Sequence, residues 1–482
     1  MDNTINLEEV NFSSMSLVDP VGVVFSWRGR LFRAISYEEV ENIKAMFDCG
    51  MIDALVNKNL FPRTWITSYK LDGYGLIVEH EKIPAVNYPY EWSFLMLKAA
   101  AIAVLQVNLV ANQYGYQTKD CHGYNIIFDG CYPKFVDLGS FVKLGEPGSN
   151  WIAYEEFIRF YYYVLSIWKD GSSYLARRAL SSDYEMLNHD EFYIYRYTYL
   201  ISKILKNTKK YISKIAKYLN IKSHILSDEF GLKNLNNISF VSKKIENMHF
   251  NDFGIYKKPI KKMHINFDTK LSQEISKIIN IYDIEKITYF SAVYELSKLI
   301  IEKTNIKQMV CVNTDEHEID KIYELSKTNS IDFQDKKILP VLLNFLLPVS
   351  NYSAYPNNLP YCKGRFLSDA IISLSGIDYA ISLGFSIDYA LKTIAQYTKR
   401  YALIGFSTCD SNENKQSGRT IPEWHIKDFC RDKFQQYFEL LLEQKIDDKL
   451  ILFGKKFVEK PNNKRQEDCD GSLTEPIPLK GG

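Results

Sequence analysis

The chain predicts two successive domains, an α+β domain in which a small sheet precedes helices and an α/β domain built on a parallel sheet. Three observations carry this. With 482 residues the chain exceeds what one hydrophobic core ordinarily organises. In its amino-terminal part, short β-rich runs come before a long apolar helical pattern. From Ile287 onward strand and helix patterns alternate, which implies parallel strands joined by crossover helices. Lysine plus arginine (59) balance aspartate plus glutamate (58), so there is no global electrostatic case for a nucleic-acid or membrane partner, and nucleic acid is not expected.

Residues 21 to 35, VGVVFSWRGRLFRAI, are two apolar runs around an Arg-Gly turn and predict a hairpin. A helix is expected over Tyr37 to Asn57, a strand in GYGLIVEH, and a long helix rich in Ala, Leu and Met over Trp92 to Asn112. NIIF and KFVD flank Asp129-Gly130, a strong local signal for a second hairpin. Residues 151 to 226 read as helical, with IRFYYYVLSIW as a buried aromatic helix. The lysine-rich segments between Ile201 and His264 read as solvated faces and a basic connector, which sets the domain boundary. Beyond it follow ITYF, a helix through Lys303, MVCVN, a helix through Lys327, ILPVLLNFL, DAIISLSG, a helix near Ile387 to Tyr401, and YALIGF. The expected domains are 1–250 (sheet lobe about 15–85, helical lobe about 88–250), a connector at 251–264, 265–457, and a disordered polar tail at 458–482.

MDNTINLEEV does not read as a secretory signal, so the mature protein is expected to begin there. The most apolar stretches, Met96 to Val110 and Ile338 to Val349, are too short for a bilayer and are interrupted by Lys98, Gln106, Pro340 and Pro348, so no membrane span is expected. Eight cysteines without metal spacing fit reduced thiols in a cytoplasm.

Asp120 and Asn125 have the D-x-x-x-x-N spacing of a kinase catalytic loop, and Asp137 opens Asp-Leu-Gly at the end of the next hairpin. Phosphoryl transfer needs a carboxylate to orient the attacking hydroxyl and oxygen ligands for magnesium. Asp120 is then the base, with Asn125 and Asp137 as metal ligands. The sheet, long helix and hairpin around the motif predict a kinase-like amino-terminal domain. No Gly-rich phosphate loop precedes it. Arg33 is the candidate cation for nucleotide phosphates, with Glu38, Glu39 or Glu41 as its partner, and His122 is read as an ordinary loop histidine.

DPVGVVFSWRGRLFR, KDCHGYNIIFDGCYPKFVDLGSF, WIAYEEF, NTDEHEIDKIY and SDAIISLSGIDYAI resemble bacterial two-domain proteins described as class I methyltransferases, some called nodulation proteins, with a kinase-like amino-terminal half. The resemblance runs from about Asp19 to Lys455 and implies a Rossmann-like second domain that binds S-adenosylmethionine. Where that family has its glycine loop, this chain reads Thr288 to Ser297, TYFSAVYELS, with Phe290 and Tyr294 at the glycine positions. Two aromatic rings there are expected to exclude the cofactor. Asn313 stands where the ribose-binding acid belongs, with Asp315 as a substitute, Asn344 replaces a further acid, and Asp378 and Tyr379 replace paired histidines.

The first expectation is therefore a phosphotransferase using ATP and magnesium on a hydroxyl of a small molecule, glycan or peptide, with a degenerate methyltransferase-like domain that counts against S-adenosylmethionine. Two alternatives stay open, a methyltransferase and a non-catalytic binding or regulatory protein.

Overall fold

The computed structural model describes residues 3–13, 16, 19–146, 150–181, 186–207, 238–249, 269–328, 335–347, 362–407, 427–446 and 449–457. The connector at 251–264, the tail at 458–482 and most of the lysine-rich stretch after residue 207 lie outside them.

Alternating apolar residues build the first sheet. β1 (Asn11–Phe12), β2 (Gly22–Trp27), β3 (Arg30–Ile35), β4 (Thr64–Ile66) and β5 (Leu76–His80) form an antiparallel sheet in the order β1-β2-β3-β5-β4. The expected helix over Tyr37 to Asn57 is split into α1 (Val40–Asp48) and α2 (Met51–Asn57). Gly50 is the reason, because its φ of 83° leaves the right-handed helical region at a position where a side chain is strained.

α3 (Phe94–Gln113) begins where Ser93 accepts a hydrogen bond from the Met96 N–H, and it is apolar nearly all round. Its 20 residues match the expected helix and contain the apolar stretch read as too short for a bilayer; by length and composition alone the helix could cross one. Most of it is buried among Met46, Leu55, Phe128, Phe141 and Trp168, as in the core helix of a folded domain. After it come β6 (Tyr116–Thr118), the hairpin β7 (Ile126–Asp129) and β8 (Tyr132–Phe135) turning at Gly130, and β9 (Phe141–Lys143), which pairs with β6. α4 (Tyr154–Phe157) runs through a π-helical turn (Ile158–Tyr162) into α5 (Tyr163–Lys169), followed by α6 (Ser173–Ala179), α7 (His189–Asn207) and α8 (Ile238–Glu246).

The second half is a seven-stranded sheet. α9 (Thr269–Ile281) leads to β10 (Lys286–Phe290), α10 (Tyr294–Lys303), β11 (Gln308–Asn313), α11 (Glu316–Ser326), β12 (Lys337–Leu342), α12 (Cys362–Arg365), β13 (Ser368–Ser373), α13 (Gly376–Ser382), α14 (Ile387–Ala395), β14 (Thr398–Ser407), α15 (Lys427–Gln435), β15 (Phe438–Ile446) and β16 (Lys449–Lys456). The sheet order is β12-β11-β10-β13-β14-β16-β15, parallel from β12 to β14, with β16 inserted antiparallel between β14 and β15. The predicted alternation is present. The helix near Ile387 stops at Ala395, and its expected last residues already belong to β14. The terminal β15–β16 hairpin was not expected.

The two halves share one hydrophobic core, which runs from Val21 to Leu452 and covers one face of the parallel sheet; α9 and α10 cover the other. The β7–β8 hairpin lies against edge strand β12, with Lys337 ion-paired to Asp129 at 2.6 Å and Asn87 Nδ2 donating to the Pro340 carbonyl at 3.3 Å. Pro340 has no N–H to offer a neighbour and fits an edge strand. Covering that edge protects it from pairing with other chains. Arg365 of the second half is held by Glu91 of the first, at 2.6 and 2.8 Å, with side chains only 6% and 1% exposed.

Candidate functional site

Two polar groupings come together, one in each half. In the first half, Arg33 projects from β3 and is clasped by Asp137 at 2.7 Å and by Asp19. Asp137 also accepts from the Gly139 N–H at 3.1 Å and from the Ser140 hydroxyl, and Asn125 Nδ2 donates to Ser140 Oγ at 3.2 Å. A side chain on Gly139 would come within 3.2 Å of the Arg33 guanidinium, so the turn after Asp137 must be bare to let the arginine lie down. Burial works to raise the Asp137 carboxyl, but Arg33 and the hydrogen bonds outweigh it and hold the group below the usual carboxylate range. His80, wholly buried beside this pair, is pushed down to about 3 by burial and by Arg33, and it is neutral.

Asp120 stands apart from that line. Its carboxylate faces His122 Nε2 at 3.5 Å and shares a hydrogen bond with Glu156, which also accepts from the Cys121 N–H. Burial and Asp120 push Glu156 up to about 7. Asn125, Asp137 and Arg33 are thus joined through Ser140, while Asp120 is engaged with His122 and Glu156. The expected partner of Arg33 is corrected: Glu38 and Glu41 are exposed, Glu39 bonds Asn42, and two aspartates take the arginine instead. Asn125 and Asp137 spend their polar atoms on Ser140 and Arg33. Among the described residues no group of three His, Cys, Asp or Glu side chains is arranged to hold a metal. Asp19, Ser140 and Glu156 escaped the sequence reading. Ser140 lies three residues past Asp137, and Glu156 lies in WIAYEEF, so the signals were present without a spacing rule to decode them.

In the second half the order of strands reverses between β10 and β13, the point at which open α/β sheets receive ligands beyond their strand carboxyl ends. Asn313, at the end of β11, donates from Nδ2 to the Ala292 carbonyl at 2.6 Å and accepts from the Asp315 N–H at 2.9 Å, tying together the loops after β10 and β11. Asp315 caps α11 by accepting from the His317 N–H at 2.9 Å and keeps a half-buried carboxylate at the sheet edge. Asn344 accepts from the Leu346 N–H at 3.1 Å. The end of β13 is packed tightly: a Cβ on Gly376 would lie 2.1 Å from Ser373 Oγ and 3.1 Å from the Phe345 ring. Ser373 Oγ is buried there without a hydrogen-bond partner among the described residues.

The expected exclusion by Phe290 and Tyr294 is corrected. Phe290 is the last residue of β10 and turns into the shared core, stacked 4.2 Å from Phe345 and edge-on to Tyr397. Tyr294 opens α10 and packs on the opposite core. The turn between them is made by Ser291 to Val293, with Ser291 at φ 55°. The turn carries the chain off the sheet into α10, so the two rings end against different cores. Asp378 and Tyr379 do not act as a pair either. Asp378 is buried and accepts from Lys449 Nζ at 2.5 Å and Ser407 Oγ at 2.7 Å, while Tyr379 packs against the shared core.

No family model matches the chain. It is 30% identical over 150 residues to the nodulation protein NoeA of Rhizobium meliloti (strain 1021), a match that spans 30% of this chain and 30% of that relative. Among solved structures it is similar to magnesium protoporphyrin IX methyltransferase from Synechocystis PCC 6803 with bound SAH, at 10% identity and a TM-score of 0.27, covering 39% of this chain and 83% of that one. It is also similar to the methyltransferase domain of bacterial CtHen1, at 11% identity and a TM-score of 0.26, covering 38% and 96%. A third is the PH0226 protein from Pyrococcus horikoshii OT3, at 13% and 0.27, covering 39% and 89%. The second half has a Rossmann-like α/β fold, and the strand order above is its mark. The kinase-like reading of the first half gains no counterpart from these proteins. The phosphotransferase expectation, with its ATP and magnesium, is overturned: the assigned metal ligands Asn125 and Asp137 are engaged with Ser140 and Arg33.

Proposed function

We propose that the chain is an S-adenosylmethionine-dependent methyltransferase whose cofactor crevice lies at the carboxyl ends of β10, β11 and β13. The observation that carries this is the strand order, which reverses between β10 and β13 and ends in the antiparallel insertion of β16. The residues at that edge suit the group. Asp315 offers a carboxylate to ribose hydroxyls, Asn313 fixes the loop that presents it, and the unpartnered Ser373 hydroxyl supplies a polar atom beneath the crevice. The bound cofactor would supply an electrophilic methyl group; the chain's part is to bind, orient and exclude water. Asn313 serves orientation by locking two crevice loops through one side chain, so that little order remains to be imposed on binding.

Calorimetric titration of the full chain with S-adenosylmethionine and with S-adenosylhomocysteine tests this reading. Both are expected to bind. Asp315→Ala, which removes a charged hydrogen-bond acceptor, is expected to weaken both by roughly ten- to a hundredfold, the equivalent of about 1.5–3 kcal/mol. Wild-type protein that binds neither would sink the proposal.

A further inference from the structure

The seam between the two halves reaches the same edge of the parallel sheet. Arg177, on α6 of the first half, donates from Nη2 to the carbonyl of Leu342, the last residue of β12, at 3.2 Å. Leu342 is the register partner of Asn313, so the guanidinium lies one strand from the loop that Asn313 organises. Glu316, the first residue of α11, and Trp168, at the end of α5, complete the group. Nearby, the Leu95 N–H at the start of α3 donates to Asp320 at 3.3 Å, so the first turn of the long core helix abuts α11.

Two polar atoms in this seam, Arg177 Nε and Glu316 Oε1, are shut away from solvent without a hydrogen-bond partner among the described residues, and the buried Trp168 N–H faces Glu316. They come from both halves of the chain. Among the described residues Arg177 makes no ion pair, and the carboxyl acting on it is Glu316. Burial, then the neighbouring Asp320, pushes Glu316 up to about 8, so that at neutral pH it is largely protonated and supplies little countercharge. A guanidinium whose Nε is shut from water beside a largely neutral acid is costly, and burial accordingly lowers its hold on the proton. An incoming carboxylate would supply the charge, take the Nε–H of Arg177 and accept from the Glu316 acid, which the neighbouring Trp168 N–H steadies.

We propose that Arg177, Trp168 and Glu316 form a carboxylate-receiving end of the crevice, built jointly by the two halves. The carboxylate is either the amino-acid end of the cofactor or a group on the acceptor substrate. The proposal rests on the methyltransferase reading for the identity of the ligand, though not for the presence of the anion site.

The test uses full-length protein in two arms. In the first, S-adenosylmethionine is titrated calorimetrically into wild type and Arg177→Gln; a tenfold or greater loss of affinity assigns the carboxylate to the cofactor. In the second, the melting temperature is followed in sodium acetate at constant ionic strength, with acetamide as the neutral isostere. A rise with acetate and none with acetamide, abolished in Arg177→Gln while cofactor affinity is unchanged, assigns it to the acceptor. Should Arg177→Gln not fold, Trp168→Phe removes one N–H only and is expected to weaken whichever response is found at least threefold. Cofactor affinity unchanged by the substitution, together with no acetate effect in wild type or the same effect in the variant, overturns the site. A wild type that ignores S-adenosylmethionine yet keeps the Arg177-dependent acetate response would remove the methyltransferase reading and leave the site standing.

Discussion

Glu156, Glu316 and Asp320 carry carboxyls that burial pushes upward, Glu156 to about 7, Glu316 to about 8 and Asp320 to about 6, from ordinary values of 4.5, 4.5 and 3.8. An acid whose folded value lies above its unfolded one binds more protons in the folded state. Its contribution to stability is complete below the unfolded value and is lost as pH rises through the folded one. All three act in the same direction, so stability is expected to decline between about pH 4.5 and 8. Asp137 and His80 work the other way: the contribution of Asp137 is lost only below about pH 4, and His80, held at about 3 in the fold, adds stability up to about pH 6.5 and offsets part of the decline. Urea midpoints at pH 5, 6.5 and 8 check this: they should fall in that order, and Glu316→Gln should flatten the upper part of the decline. A midpoint that rises from pH 5 to 8 would contradict the assignment. At this scale the sequence exposed the residue types but not their partners. Asp137 was legible as an acid closing a hairpin and Arg33 as a cation in an apolar strand, yet their pairing spans 104 positions, and no local pattern records it.

The junction of β13 and α13 depends on close approach. Gly376 opens the helix directly over Ser373, and a methyl group there meets the serine hydroxyl and the Phe345 ring. Gly376→Ala is expected to cost about 1–3 kcal/mol through overpacking. Ser373→Ala alone removes a buried hydroxyl that has no hydrogen-bond partner among the described residues and should cost little. Combined, the two should recover much of the loss, because the clashing atom is gone; chemical denaturation of the four proteins gives the coupling, and simple additivity would refute the contact. Elements with a chemical signature were readable in advance. Asp129-Gly130 announced its hairpin because glycine supplies the positive φ of 64° that the turn demands. The alternation after Ile287 announced the parallel sheet. The β15–β16 hairpin was not, because FELLLEQKI on an edge strand alternates poorly and is half exposed. The break at Gly50 was missed because one glycine inside an apolar helical pattern does not by itself reveal its conformation. The crevice was misjudged for a related reason: a motif comparison put Phe290 in a loop, whereas it is the last pleat of a strand and faces the core.

For the molecule as a whole, the shared core and the buried Arg365–Glu91 pair make the two halves one cooperative unit. Arg365 also donates to the Val86 carbonyl at 2.7 Å and lies over the Tyr88 and Phe366 rings, so a guanidinium of the second half is almost enclosed by the first. Burying such a pair gains little net stability over an apolar equivalent, but deleting one partner strands a charge. Glu91→Gln is therefore expected to cost about 3–5 kcal/mol, and the joint replacement Glu91→Gln with Arg365→Met less than the single change. Five of the six tryptophans, Trp27, Trp65, Trp92, Trp151 and Trp168, lie in the first half and Trp424 in the second, so tryptophan fluorescence is weighted towards the first half, while far-ultraviolet circular dichroism reports on both. In urea the two signals should trace one transition in wild type, and Glu91→Gln should move both midpoints by the same amount. Curves that separate, with only the dichroism shifted, would mean that the halves fold independently. A crevice shared between Arg177 and Glu316 could not then be held in register by the fold.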